Sequence, residues 1–217
     1  MQITRRGENE LHLDGFPDAI KLIRVDGPKA QLLADLALHR SDLRFADDSL
    51  QAIQRVAPEE DRIRTALWRV AVIYYCKCFG QSESRRSLIA SKVYKGHPAS
   101  NLEAFGFFQQ LRDKHLVHDE NSSSQCPVGA AINGGNKQHK VEGVVPIVHT
   151  FGVEGPENYR NLQVLIEVAT AWVATEYDKV LDSIKDDLER VPYGELVSRP
   201  VLKVVVPTIE DMGKKRP

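Results

Sequence analysis

The sequence predicts a mainly all-α protein: a bundle of four or five helices with a small β-hairpin or short peripheral strands. Three observations carry that prediction. Apolar residues recur at three- and four-residue spacing over long stretches, as a helix burying one stripe requires. Breaks such as Gly27-Pro28 and Gly80 separate those stretches. Runs of β-type composition are short and lie outside them. With 217 residues, 42% of them apolar and 27% charged, the chain can bury a real core. Helices that each hide one stripe most simply pack as a bundle.

Residues 1–28 form an N-terminal arm, in which LHLDG and AIKLIRV are either strands or irregular chain. The bundle occupies residues 29–190. Lys29 to Leu38 is helical, with Leu32, Leu33 and Leu36 on one side. Ser41 or Asp42 caps a restart that carries Leu43, Ala46, Leu50, Ile53 and Val56. His39, at the junction, reads as a surface histidine. Pro58 suits the first turn of the next helix, where Glu59, Glu60 and Asp61 complement the dipole. That helix is apolar around much of its circumference through LWRVAVIYYCKCF, so it is central, and Gly80 ends it. From Ser82 to Tyr94 the chain is basic, with Arg85, Arg86 and Lys92. A solvated helix face explains such a cluster, and phosphate contact is its functional reading.

After a Ser-, Gly- and Asn-rich loop, residues Val141 to Val153 have β composition, with Pro146 holding them to an edge, so β decoration falls at about 140–153. Gly134-Gly135 lacks the Lys and Ser/Thr of a phosphate loop. Asn158 to Leu188 is the longest helical signal, and Pro192 stops it. Residues 191–217 are a C-terminal extension in which Val201 to Val206 can form one strand.

The net charge of −1 neither announces nor excludes a nucleic-acid partner. Cys76, Cys78 and Cys126 make no even disulfide framework and read as free thiols in a reducing cytosol. The first residues, MQITRRGENELHL, are too polar for a signal peptide, and no apolar run reaches membrane-spanning length. A cytoplasmic location without membrane contact is expected.

The most informative stretch is Ser100 to Asn121. Ser100 and Glu103 have capping-box spacing just after Pro98. At about 100° per residue, Leu102, Phe105, Phe108 and Leu116 share one side, and Arg112 falls in their midst. A guanidinium on an apolar stripe is costly unless it is paired, at an interface or lining a cleft. Snorkelling into water, with Asp119 as a pairing acid, is the structural explanation.

The run LRDKHLVHDENS resembles the signature of the HEPN superfamily: an arginine, then Asn or Asp, then histidine after four to six residues. Here Arg112 precedes Asp113, and five residues separate Arg112 from His118. A long apolar helix before it and a long helix after it are also similar. The resemblance covers Lys29 to Leu188 and implies a helical bundle working as a homodimer. Many members are metal-independent ribonucleases of bacterial or archaeal toxin–antitoxin, abortive-infection and other defence systems. Others only bind RNA, nucleotides or protein partners. Carried over, Arg112 and His118 are the catalytic pair, Asp113 supports them, and His115 belongs to a frequent variant of the motif. Arg85, Arg86, Lys92 and Lys114 are the cations an RNA backbone would meet. No cofactor and no metal are implied, and an antitoxin or defence protein is a possible partner.

The residue types suit that chemistry. RNA brings its own nucleophile, the 2′-hydroxyl, and an imidazole moves protons near neutral pH. A guanidinium grips phosphate through two hydrogen bonds and offsets charge growing on its oxygens. Six residues span about 9 Å of helix and leave the two side chains about 120° apart, so a two-fold partner would complete the site. The competing readings are an inactive binding module and a structural dimer. A metal site at His115, His118, Asp119 and Glu120 is weaker, because no HExxH spacing is present.

Overall fold

Gly27 adopts a φ of 107°, a left-handed conformation that suits glycine, and Pro28 behind it takes the first helical position. The helix that follows, α1 (Pro28–Ile53), is unbroken. The expected restart at Ser41 or Asp42 does not occur. Asp42 is buried instead, and Lys77 reaches its carboxylate at 3.0 Å, so the acid serves packing between helices and caps nothing. His39 is likewise buried, at 1% exposure, not on the surface.

The computed structural model describes residues 3–5, 11–13, 15–16, 18–118, 124–150, 155–203, 208–211 and 214. After α1 come α2 (Asp61–Lys77), α3 (Ala90–Val93) and α4 (Ala99–Leu111). A π-helical segment, Arg112–Val117, continues directly from α4. The long α5 (Pro156–Glu189) and the short α6 (Tyr193–Ser198) complete the helices, and a 3-10 turn spans Ile209–Asp211. Strands β1 (Ile3–Arg5) and β2 (Leu11–Leu13) pair antiparallel. So do β3 (Ser124–Gln125) with β6 (His149–Thr150), and β4 (Val128–Ile132) with β5 (Val141–Pro146). The fold is mainly α with small antiparallel pairs, as the apolar spacing requires.

Boundaries differ from the sequence reading for physical reasons. Pro58 and the glutamates after it lie in the turn before α2, so only Asp61 occupies its first turn. Cys78 is the C-cap of α2, and the Gly80 N–H closes the turn on the Cys76 carbonyl without a left-handed residue. Helix α4 starts at Ala99 behind Pro98 with no side-chain cap, so Ser100 and Glu103 form no capping box. The expected hairpin is present, but its first strand, β4, comes from residues read as loop. Pro146 ends the ladder opposite Val128, where its missing N–H costs least. Val201 makes an isolated bridge to Ile23, and the rest of that expected strand, from Val204, lies outside the described residues.

Contacts divide the chain into two compact units. One holds Met1–Ala37, Glu83–Arg86 and Thr175–Pro217. There the Arg86 N–H donates to Asp35 at 3.1 Å, and the hydrogen bond from Lys29 holds the Asp187 carboxyl below its ordinary range. The other, Leu38–Ser82 with Ser87–Ala174, carries the larger core. Leu43, Leu50, Trp68, Tyr75, Phe108, Leu162 and Leu165 are fully buried in it. Phe108 meets Trp68 at 5.9 Å and Tyr75 at 6.5 Å, both edge-on, the geometry aromatic quadrupoles favour. Leu102, expected on the core stripe, is 43% exposed.

Polar atoms in this core are chained. The Tyr75 and Tyr94 hydroxyls lie 2.6 Å apart, and Tyr94 donates onward to the Leu165 carbonyl at 3.3 Å. Tyr75 is therefore the donor to Tyr94. Replacing Tyr94 by phenylalanine strands the buried Tyr75 hydroxyl and is expected to cost about 1–3 kcal/mol, read as a lower urea midpoint at unchanged slope.

Burial also pushes the Cys76 thiol up to about 12 and raises both tyrosine hydroxyls above their ordinary range. The folded chain thus keeps protons that the unfolded chain releases. Stability is expected to be fully present below pH 9.0, the thiol's ordinary value, and to fall as pH rises toward about 12. Urea unfolding across that range checks the slope.

Candidate functional site

The site is built where α4 changes its winding. Leu111 is buried and Leu116 half-buried, five residues apart. In an α-helix five positions are turned about 140° from one another, which would carry Leu116 away from Leu111. Bonding five residues back brings such positions nearly into line, and the His118 N–H accordingly donates to the Asp113 carbonyl at 3.2 Å. The π segment packs against α2. Wheel positions beyond Leu111 therefore do not follow α-helical phase.

Arg112 opens this segment with its side chain 28% exposed, neither buried nor free in water. Its Nη2 donates to Gln109 Oε1 at 3.4 Å, a long bond. Its Nε lies 2.8 Å from Asp113 Oδ1, an ion contact too bent to count as a hydrogen bond. That Nε is shut off from solvent, and the Asp113 carboxylate is its close partner. Gln109 Nε2 is also buried and has no acceptor among the described residues. One buried amide donor thus stands without an acceptor beside an ion-paired guanidinium. Arg112 also sits near enough to Cys76 to pull its thiol downward against the larger effect of burial.

Among the described residues Asp113 is the acid the guanidinium meets; Asp119, the pairing acid the sequence suggested, lies outside them together with Glu120. His115 is half-buried. His118 is exposed, follows the π segment in extended conformation and marks the helix end. Neither imidazole makes a hydrogen bond among the described residues, and none joins Arg112 to His118. The structure therefore brings Arg112 and Asp113 together and places His115 and His118 on the same continuous stretch.

The basic residues do not share one helix face. Arg85 and Arg86 lie in irregular chain and belong to the first unit, while Lys92 on α3 and Lys114 on the π segment belong to the second. Only four residues, Ala90–Val93, are helical where Ser82 to Tyr94 suggested a helix face. Gln109 is the residue that sequence reasoning missed. Its position three before Arg112 on one helix was the available signal.

No helix among the described residues is long and apolar enough to cross a membrane. Comparison with protein-family models, with curated proteins and with solved structures finds no match.

Proposed function

We propose that this chain is a HEPN-like, metal-independent endoribonuclease of a bacterial or archaeal defence or toxin–antitoxin system, acting as a homodimer through Arg112 and His118. The observation that carries this reading is the half-buried Arg112 guanidinium, paired with Asp113, beside a Gln109 amide whose buried Nε2 has no acceptor among the described residues. Such groups suit a phosphate oxygen, which would compete with Asp113 for the guanidinium. His118, exposed at the helix end, is available to take the proton of an RNA 2′-hydroxyl. Arg112 would hold the phosphate as charge grows on its oxygens.

The test is digestion of single-stranded RNA in chelator by the wild-type chain, Arg112→Ala and His118→Ala. Cleavage by wild type alone supports the reading, and equal cleavage by all three removes it.

The second reading is an inactive binding module that contacts RNA or a partner protein. It is favoured by the 2.8 Å contact that already offsets part of the Arg112 charge and by the lack of any bond to His118 among the described residues. It predicts RNA retention without cleavage, lost in Arg112→Ala and indifferent to His118→Ala.

A further inference from the structure

The β4–β5 ribbon carries a bare apolar face. Side chains alternate across a strand, and residues paired in an antiparallel ladder share a face. Val128 and Ala130 on β4 therefore stand with their partners Pro146 and Val144 on β5, and Ile132 follows on the same side. The pairs Gly129–Val145 and Ala131–Gly143 occupy the opposite side. The ladder continues past the base of the ribbon, where the Ile147 N–H donates to the Pro127 carbonyl at 2.9 Å and β3 pairs with β6. Val148, two residues beyond Pro146, extends the first face. All six of its residues are exposed, and Val128, Ile132, Val144 and Val148 keep 63–71% of their surface in solvent.

A lone two-stranded ribbon is marginal in water, and an antiparallel sheet with a wet side ordinarily places polar residues there. The β4–β5 ladder pairs contain no polar side chain on either face. The bulky face therefore calls for a cover. Its size fits a protein interface. A stable one buries about 800 Å² on each side, a little over half of it apolar. At on the order of 100 Å² for a fully bare side chain, the six residues supply roughly 300–400 Å², most of that apolar share. Between Ser124 and Thr150 the charged residues are Lys137, Lys140 and Glu142, all toward the turn, where they suit a rim. The same span holds no Phe, Tyr or Trp, the residues that anchor a segment in a membrane surface.

The face also complements itself. Ala130 leaves a hollow between Val128 and Ile132, and Val144 stands beside it on the other strand. A two-fold axis running along the ribbon lays β4 of one copy over β5 of the other. Each Val144 then fills the hollow at the partner copy's Ala130, and no ladder position of the face brings a charge to the seam. We infer that this face packs against the same face of a second copy of the chain, giving a four-stranded apolar sandwich. The inference goes beyond the ribonuclease reading and uses neither Arg112 nor His118.

Sedimentation velocity on the full chain tests this. Wild type is expected to form a dimer with a Kd of about 1 μM or tighter. Val144→Glu and Ala130→Lys each put a lone charge into the seam and should raise that Kd about 100-fold or more. Mixed in equal amounts, the two variants should form a heterodimer, because the new carboxylate of one meets the new ammonium of the other. Val145→Glu changes an exposed residue of the same strand on the opposite face, so it should leave the dimer intact and shows that the ribbon tolerates a charge. A monomeric wild type overturns the inference, including one that sediments instead with vesicles of phosphatidylcholine and phosphatidylglycerol. So does a dimer that survives Val144→Glu, the result expected if copies meet only at Arg112, and so does equal dissociation by Val144→Glu and Val145→Glu. Digestion of RNA by wild type in chelator judges the ribonuclease reading separately.

Discussion

Arg112→Ala and His118→Ala are each expected to lower RNA cleavage about 10²–10⁴-fold, the range lost with a general base or a preorganised charge. The two should differ in what else they change. Arg112 is 28% exposed and touches Gln109 and Asp113, so its removal should also weaken RNA retention. His118 is exposed and makes no side-chain hydrogen bond among the described residues, so His118→Ala should leave stability and RNA retention intact. Arg112→Lys keeps the charge but loses the planar fork, and should recover only part of the activity. Gel assays in chelator measure the rates, and filter binding measures retention. If Arg112→Ala unfolds the chain while wild type neither binds nor cuts RNA, the guanidinium is a structural cation and the nuclease reading fails. If the site is shared across a two-fold axis, mixing the two inactive variants should restore cleavage that neither shows alone.

Phe108→Ala is expected to cost about 3–5 kcal/mol of stability, the range for emptying a large aromatic site in a packed core. The side chain has no exposure and meets Trp68 and Tyr75 edge-on. Its removal leaves a void ringed by two helices that cannot collapse without tilting those rings. The Phe108 carbonyl also accepts from the Cys76 thiol at 3.5 Å and from the Arg112 N–H. A shift of α4 would therefore be felt where the guanidinium is anchored. Guanidinium-chloride unfolding reads the loss, and Phe107→Ala, at a position 40% exposed, serves as the mild comparison.

The long helices were legible because they obey one rule throughout. In α5, Leu162, Leu165, Ile166, Ala169 and Val173 recur at three and four and are all buried. Where two rules compete, the sequence was ambiguous. Ser41 and Asp42 are good caps, but a part-buried partnership of Asp42 with Lys77 lets α1 run on. Val128–Ile132 is too rich in Gly and Ala to look like a strand, and it becomes one because β5 supplies a register. In the candidate site, Arg112, Asp113 and His118 were legible as residue types and spacing. Their geometry was not, since a wheel assumes α-helical winding and the chain abandons it at Arg112.

That change of winding absorbs one extra residue between Leu111 and His118. Deleting one residue there would let the segment relax into an ordinary α turn. Leu116 would then follow Leu111 by four positions, within about 40° of it, and keep nearly its present facing. What such a deletion would change is the spacing from Arg112 to His118, shortened by one residue.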